Sequence, residues 1–252
     1  MIKNLELEAY LSQLLNVPLF SDYAPNGIQI EGRSELKKIA TAVTASLEIV
    51  QKAKDLNVDA LLVHHGYFWK GEPYEIRGLK KARILPFLEN DMNLLAYHLP
   101  LDVYDAWGNN ACMGQRMQAT VLKKCAWRQC SDLLWIGQLE KPKAQSVFLQ
   151  DLKDIYGPQV QAVFSSTKQI QKIAWCSGAA HDLFEFAGSQ SVDAFITGEY
   201  SERSYHLAKE SQVNFFAAGH HATEKDGIRS LGDFLAKKFD LTHVFIDEDN
   251  PF

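Results

Sequence analysis

Histidine and carboxylate side chains follow three apolar segments of this sequence. The segments are LLVHHGYFWKG (61–71), LLAYHLPLD (94–102) and FFAAGHHATEKDG (215–227). Each one begins as an apolar run typical of a buried strand and then changes to polar residues. Imidazole and carboxylate ligands together suit divalent ions such as Zn, Fe, Mn, Co or Ni. The recurrence predicts a metal site where strands end, which is where ligand sites of open α/β sheets lie.

The spacing within the segments indicates how such ligands would be shared. His64 and His65 are neighbours, and neighbouring side chains diverge in an extended chain, so each would serve a different ion. His220 and Glu224 are four residues apart, which places both on one face of a helix. A carboxylate can bridge two ions, and two-metal hydrolytic sites hold their ions roughly 3.5–4 Å apart. The pattern favours two ions, although hydrogen-bonded histidines and a solvated carboxylate at a helix start would give the same residues.

His98 and Asp102 share the four-residue spacing, but Pro100 between them predicts a loop. Either side chain could still reach a metal ion. No P-loop, Rossmann glycine fingerprint or nucleophile elbow occurs in the sequence, so no nucleotide cofactor is expected.

Three other polar residues are weaker candidates. Glu199 and His206 could act as acid/base groups, and Lys70 could contact an anionic substrate such as a phosphate. Each is equally consistent with a position on the protein surface, so their roles stay open.

Alternating strands and helices must position these residues. Strands are predicted at 37–43, 59–63, 92–97, 159–164, 172–176, 193–197, 213–218 and 241–246. Helices are predicted at 4–16, 46–56, 80–90, 144–156, 179–189, 201–210 and 222–238. Strands separated by helices of this length indicate βαβ units. The region from about 105 to 170 is less clear.

An internal echo supports two related α/β lobes. The segments that start at Lys38 and Lys172 are identical at 8 of 29 positions when they are aligned without gaps, and both contain Val-Asp-Ala. Both are predicted as strand, helix, strand, and a repeated unit is the simplest explanation. Chance, or the pattern that all βαβ units share, is the alternative.

Composition narrows the class of protein. The chain has 252 residues and a formal net charge of −5, which disfavours bulk nucleic-acid binding. Its four cysteines contain no C-x-x-C pair and are expected as free thiols in a reducing compartment. Neither a signal peptide nor a transmembrane segment is predicted. We therefore expect a cytoplasmic protein.

Six segments together resemble the GTP cyclohydrolase 1 type 2 homologue family, also called the Ngg-interacting-factor-like family, and especially its bacterial YbgI-like members. They are SDYAPNGIQIEG (21–32), DALLVHHGYFWKGE (59–72), HLPLD (98–102), GNN (108–110), DAFITGEYSE (193–202) and AAGHHATEKDGIR (217–229). The resemblance implies a dinuclear metal centre with two divalent ions, either Zn, Fe or Mn. The implied ligands are His64 and Asp102 for one ion, His65 and His220 for the other, and Glu224 as the bridge. His98 is implied as a neighbour of the site.

The resemblance also bears on architecture. With the internal echo, it predicts two related α/β lobes with mixed sheets flanked by helices and the metal site in the cleft between them. The first lobe is expected to contain residues 1–125 and 219–252 and most metal ligands, and the second residues 126–218. Members of the family assemble as toroidal hexamers, so a homohexamer is expected.

The family name implies hydrolytic opening of the GTP purine ring. The metals would lower the pKa of a bound water that attacks an electrophilic carbon, and would stabilise the developing oxyanion. His98 or Glu199 would carry protons as catalytic residues. The sequence does not itself specify GTP, so the expected substrate is a nucleotide or a related small molecule. A two-metal phosphoesterase and a metal-binding scaffold or regulatory ring with little catalysis are the alternatives.

Overall fold

The computed structural model describes all 252 residues and contains 13 strands and nine α-helices. The strands are β1 (Ile2–Lys3), β2 (Gly27–Ile30), β3 (Glu35–Leu36), β4 (Lys38–Thr44), β5 (Ala60–His65), β6 (Asn93–Ala96), β7 (Ala119–Trp127), β8 (Cys130–Ala144), β9 (Gln161–Val163), β10 (Gln169–Trp175), β11 (Ala194–Thr197), β12 (Asn214–Ala217) and β13 (Thr242–Phe245). The helices are α1 (Asn4–Leu14), α2 (Leu47–Asp55), α3 (Gly78–Glu89), α4 (Leu99–Asp102), α5 (Asn109–Arg116), α6 (Gln145–Tyr156), α7 (Phe184–Gly188), α8 (Glu202–Ser211) and α9 (His220–Phe239). Two 3₁₀ turns cover Val17–Leu19 and His181–Leu183.

The first compact unit consists of residues 1–104 and 227–249. Its main sheet has the order β13-β4-β5-β6-β2, in which only β2 runs antiparallel to its neighbour. Helices α2 and α3 connect the parallel strands β4, β5 and β6 as βαβ units. Strand β5 is buried from Ala60 to His64. A strand that is buried on both faces needs a continuous apolar run rather than alternation, which accounts for the sequence ALLV.

The second compact unit consists of residues 105–226 and 250–252. Its sheet has the order β7-β8-β10-β11-β12-β9, with a parallel centre formed by β10, β11 and β12 and antiparallel strands at both sides. Residues 105–125 and 219–226, which the sequence placed in the first lobe, belong to this compact unit. Both units are mixed α/β structures with sheets flanked by helices, as predicted.

The internal echo corresponds to a repeated hydrogen-bond pattern, which we call the carboxylate bracket. Asp59 in the first unit and Asp193 in the second each accept hydrogen bonds from two successive backbone N–H groups near the start of the first strand of the repeat, at 2.8–3.0 Å. A buried asparagine that opens the third strand, Asn93 or Asn214, donates from its side chain to the carbonyl of the same aspartate, at 3.1 and 2.9 Å. The shared Val-Asp-Ala letters of the echo therefore mark equivalent positions in the two units.

The predicted strands and helices are confirmed to within a few residues over most of the chain. The helix expected at 179–189 is a 3₁₀ turn followed by the short helix α7. The loop expected between His98 and Asp102 is wrong, because α4 forms one helical turn there with Pro100 near its start. Proline is tolerated in the first turn, where its missing N–H has no helical partner. None of the helices has the combination of length and apolar character that crossing a membrane would require.

Candidate metal centre

Four candidate residues meet at the carboxyl ends of β5 and β6 in the first unit. His64 and His65 are the last two residues of β5, and His98 and Asp102 follow β6. The two strands are parallel and paired up to Val63 and Ala96, so the residues that follow emerge at one edge of the sheet. His64 is fully buried, and its Nε2 lies 3.5 Å from a carboxylate oxygen of Asp102.

His64, His65 and His98 form a group in which one ring nitrogen of each lies within 4.8 Å of the others. The ring centroids of the two neighbouring histidines are 4.6 Å apart, and those of His64 and His98 are 5.1 Å apart. Neighbouring side chains of a regular strand point to opposite faces. Strand β5 extends through His65, which pairs with Thr44, and the Nδ1 atoms of His64 and His65 contact different oxygens, those of Tyr97 and Thr44, although the rings lie close together. Histidine nitrogens at these separations have the chemistry and spacing to hold a divalent ion.

The second unit contains the other candidate pair at the start of α9. His220 is the first residue of the helix and Glu224 lies one turn later, with His220 Nε2 3.2 Å from Glu224 Oε2. The Glu224 side chain is 3% exposed and that of His220 is 27% exposed. Their helical spacing is as predicted.

Gly178 makes room for this pair. It has φ +65°, and a Cβ at this position would clash with Glu224 Oε1 and stand 3.2 Å from His220 Nε2. Two constraints therefore favour glycine here, the left-handed backbone and the close approach of the carboxylate. The sequence analysis missed this residue, although a glycine three residues after the end of β10, in Cys-Ser-Gly, was a signal that could have drawn attention to it.

All four histidines direct Nδ1 at an oxygen atom. The partners are the Tyr97 carbonyl for His64 at 2.9 Å, the Thr44 hydroxyl for His65 at 3.1 Å, the Asp22 carboxylate for His98 at 2.7 Å and the Glu199 carboxylate for His220 at 2.6 Å. Metal-binding histidines generally use such partners to fix the ring and to present the other nitrogen. The arrangement therefore fits a metal site in which Nε2 of a ligand histidine would bind the ion.

Carboxylates on both sides of its ring give His220 an unusual charge state. Burial alone would lower the pKa of His220, but Glu224 and Glu199 raise it to about 10 through charge and hydrogen bonds. In the metal-free protein the imidazole is therefore protonated at neutral pH. Metal ions bind the neutral ring, so binding at this histidine would release a proton.

Glu199 and His206 were both predicted as acid/base candidates. The Glu199 carboxylate contacts His220 and its side chain is 44% exposed, so it adjoins the candidate ligand pair of the second unit. His206 lies on α8 with a side chain that is 56% exposed, and its Nε2 is 2.7 Å from Glu202. Lys70 is exposed, and its backbone N–H donates to the Tyr23 carbonyl in the first unit. The contacts described for His206 and Lys70 involve none of the candidate ligands.

Known proteins resemble this chain over its full length. The sequence model of the family described as Duf34/NIF3 (NGG1p interacting factor 3) matches residues 2–251. A protein of Vibrio cholerae named GTP cyclohydrolase 1 type 2 homolog is 43% identical, with 99% of this chain and all of the relative covered. The relative of the same name from Escherichia coli K12 is 41% identical over 99% of this chain and its own full length.

Solved structures give the same picture of the fold. A structural-genomics structure of the protein ybgI, described as of unknown function, is 42% identical in sequence. Its TM-score is 0.95, and the match covers all of both chains. The structure of TTHA1606 from Thermus thermophilus is 28% identical with a TM-score of 0.88, again over both full chains. Reduced HcgD from Methanocaldococcus jannaschii shares the fold, with a TM-score of 0.85 at 22% identity over 98% of both chains.

Proposed function

The chain belongs to the Duf34/NIF3 family, and from this premise we propose that it is a metal-dependent hydrolase with two divalent ions that acts on a nucleotide or a related small molecule. The observation that supports the proposal is that the three proposed ligand histidines, His64, His65 and His220, each have Nδ1 beside an oxygen, so that Nε2 would be the atom that binds an ion. Zn, Fe and Mn all suit such ligands.

The proposed ligand set is the one that the family resemblance implies. His64 and Asp102 would hold one ion, His65 and His220 the other, and Glu224 would bridge them. Support comes from the buried carboxylates of Asp102 and Glu224 and from their short distances to His64 and His220 within each unit. A buried carboxylate needs a cation beside it; protonated His220 fills that role for Glu224 in the metal-free protein, and a metal ion would take it over when the proton leaves. The cleft between two lobes stays a prediction for the location of the centre.

The residues of the chain would orient the substrate water and move its protons. Bound divalent ions supply a water of lowered pKa and stabilise negative charge on the oxygen of the reacting group. His98 has a ring nitrogen close to His64 and His65 and is the proposed proton acceptor on the side of the first unit. Glu199 holds Nδ1 of His220 and is the proposed proton-carrying group on the side of the second unit.

The name of the curated relatives, GTP cyclohydrolase 1 type 2 homolog, suggests a purine nucleotide as the substrate to test first. Hydrolytic ring opening of GTP would release formate. A two-metal phosphoesterase would instead release phosphate from the same centre. Assembly as a toroidal homohexamer and a cytoplasmic location are further predictions that come from the family resemblance and the sequence.

Metal content tests the proposal first. We would measure it by elemental analysis of the protein purified without a polyhistidine tag, beside Glu224→Gln and the control Asp226→Asn. Asp226 lies on the same helix but pairs with Arg116, at 2.6 Å. The expected result is about two equivalents per chain in the wild type and in the control, and a large loss in Glu224→Gln.

Activity is then measured with each metal restored on a panel of nucleotides. Release of formate would support hydrolysis of the purine ring. Release of phosphate would instead indicate phosphoesterase activity. Near-zero metal in the wild type after reconstitution would overturn the proposal. Full metal occupancy without turnover on a broad panel would favour a scaffold or regulatory protein.

A further inference from the structure

The turn that contains Asp22 lies against the end of β6, far from it in sequence. The Asp22 side chain is 3% exposed. One of its carboxylate oxygens accepts hydrogen bonds from His98 Nδ1 at 2.7 Å and from the backbone N–H of Tyr23 at 2.6 Å. The other accepts from Asn26 Nδ2 at 2.9 Å and from the backbone N–H of Leu99 at 3.0 Å. Tyr23, Asn26 and Leu99 can only donate at these positions, which suits an ionised carboxylate that can only accept, so His98 Nδ1 is inferred to be the fourth donor.

The same turn also holds the backbone of His98. The side-chain oxygen of Asn26 accepts the backbone N–H of His98 at 2.7 Å. The indole of Trp69 packs edge-on against the imidazole, with the ring centroids 5.1 Å apart. The imidazole is therefore fixed in position by its main chain, by Nδ1 and by an aromatic neighbour.

A fixed carboxylate on Nδ1 also determines which nitrogen carries the hydrogen. Because Asp22 accepts, the neutral His98 ring has its hydrogen on Nδ1 and a lone pair on Nε2. Nδ1 is occupied by Asp22, so Nε2 is the nitrogen that can serve the group formed with His64 and His65, whose ring nitrogens lie within 4.8 Å. The orientation of Asp22 toward His98 thus determines the chemistry that His98 can perform.

We propose that Asp22 is the positioning residue of His98, which it holds in the Nδ1–H tautomer so that Nε2 can accept a proton at the candidate metal centre. The catalytic consequence rests on the proposed hydrolysis. In that reaction Nε2 would take one proton of the attacking water while the water oxygen bonds to the electrophilic carbon and the carbon–nitrogen π electron pair moves onto nitrogen. Asp22 would stabilise the resulting imidazolium, which would return the proton to that nitrogen as the carbon–nitrogen bond breaks. The tautomer itself does not depend on metal or on turnover.

A second aspartate–histidine pair in the same unit provides a matched control. His243 Nδ1 is 2.9 Å from the carboxylate of Asp233, as in the first pair, but His243 Nε2 is 2.7 Å from the Thr41 hydroxyl. Both ring nitrogens of this histidine are therefore used inside the protein. Asp233 is 70% exposed, so its replacement should be tolerated.

The test is long-range ¹H–¹⁵N NMR of the histidine rings in the metal-free full chain, labelled with ¹⁵N-histidine. Such spectra distinguish the Nδ1–H and Nε2–H tautomers, and His98→Gln identifies the signals of that ring. We would compare the wild type with Asp22→Asn and Asp233→Asn. The wild type and Asp233→Asn should show His98 as the Nδ1–H tautomer.

Asp22→Asn should convert His98 to the Nε2–H tautomer. The amide introduces two hydrogens into a site where all four partners are donors, and acceptance by a deprotonated Nδ1 relieves one conflict. A wild-type His98 with its hydrogen on Nε2 would overturn the proposal, even if Asp22→Asn fails to fold. An unchanged His98 tautomer in folded Asp22→Asn would overturn it as well.

Kinetics separates this inference from the proposed function. Once a hydrolysed substrate is identified, Asp22→Asn should lower kcat by about 10²- to 10⁴-fold with little change in KM, as the loss of general base catalysis does. Asp22→Glu keeps a carboxylate and should recover part of the rate, whereas a merely structural role would lower the folded fraction without changing kcat per folded molecule. Failure to find any hydrolysis would overturn the proposed function but leave the NMR result on Asp22 standing.

Discussion

Replacement of Asp59 by alanine should destabilise the first unit through the carboxylate bracket. Asp59 is 13% exposed and accepts the backbone N–H groups of Lys37 and Lys38 at 2.8 Å each. It also pairs with Arg33 at 3.1 Å. The alanine variant removes all three interactions, and the backbone N–H groups of Lys37 and Lys38 must then donate to water.

The magnitude follows from the exposure of those donors. Removing the charged acceptor of a hydrogen bond costs about 1.5–3 kcal/mol of unfolding free energy when the donor that remains is buried. Lys37 is exposed and Lys38 is half-buried, so water can replace part of what is lost. The expected loss in the free energy of unfolding is therefore about 2–3 kcal/mol in total, which corresponds to roughly 5–10 °C in Tm for a chain of this size. Asp193 has no arginine partner in its bracket, so Asp193→Ala should lower the free energy of unfolding by about 1–2 kcal/mol.

Thermal unfolding and amide hydrogen exchange measure the effect. Exchange at the N–H groups of Lys37 and Lys38 should accelerate in Asp59→Ala, because these are the donors that lose their acceptor. Asp55→Ala is the control, because Asp55 is exposed and its side chain accepts a hydrogen bond from the neighbouring Gln51. The free energy of unfolding of this variant should stay within about 0.5 kcal/mol of the wild-type value. A Tm for Asp59→Ala equal to that of the control would refute the reasoning.

Three further perturbations probe the candidate site. Gly178→Ala should lower metal content in folded protein, measured by elemental analysis, because the added Cβ displaces the carboxylate of Glu224. Thr44→Val removes the oxygen partner of His65 Nδ1 and should weaken metal affinity by about 10- to 100-fold in a metal titration; unchanged affinity would contradict the role of that hydroxyl. Burial raises the pKa of Asp22, but hydrogen bonds and the nearby imidazole outweigh it, so its pKa lies below 3.8 in the folded protein. The carboxylate therefore stabilises the fold above pH 3.8, and the stability advantage of the wild type over Asp22→Asn, followed by urea unfolding, should disappear as the pH falls below this value.

The parallel cores were predictable from sequence, whereas the hairpin of β7 and β8 was not. A short apolar run such as 60–63, flanked by polar residues, is typical of a strand that is buried on both faces. Most of β7 is exposed, and bulges interrupt its pairing with β8, so no simple alternation of apolar residues marks it. The two-residue turn at Arg128 and Gln129 joins Trp127 to Cys130 without the asparagine or glycine that usually identifies a hairpin.

At the candidate site, the sequence indicated the candidate ligands but not the residues that contact their rings. His64 and His65 end an apolar strand and His220 follows another by three residues, a local signal that needs no knowledge of the fold. Asp22 and Thr44 act through contacts with histidines 76 and 21 positions away in the sequence. Their neighbours in the chain give no sign of these contacts, because the chain must fold before either oxygen meets its imidazole.

The oxygen partners of the histidines have a consequence for how metal ions would exchange. A carboxylate makes an imidazole a stronger electron donor than a carbonyl or a hydroxyl does, and among the proposed ligands only His220 has a carboxylate on Nδ1. His64 and Asp102 are almost fully buried, whereas 27% of His220 is exposed. The two ions of the proposed centre would thus be inequivalent. The ion held by His65 and His220 would meet chelators first, so chelation would remove the two ions in an order set by the exposure of their ligands.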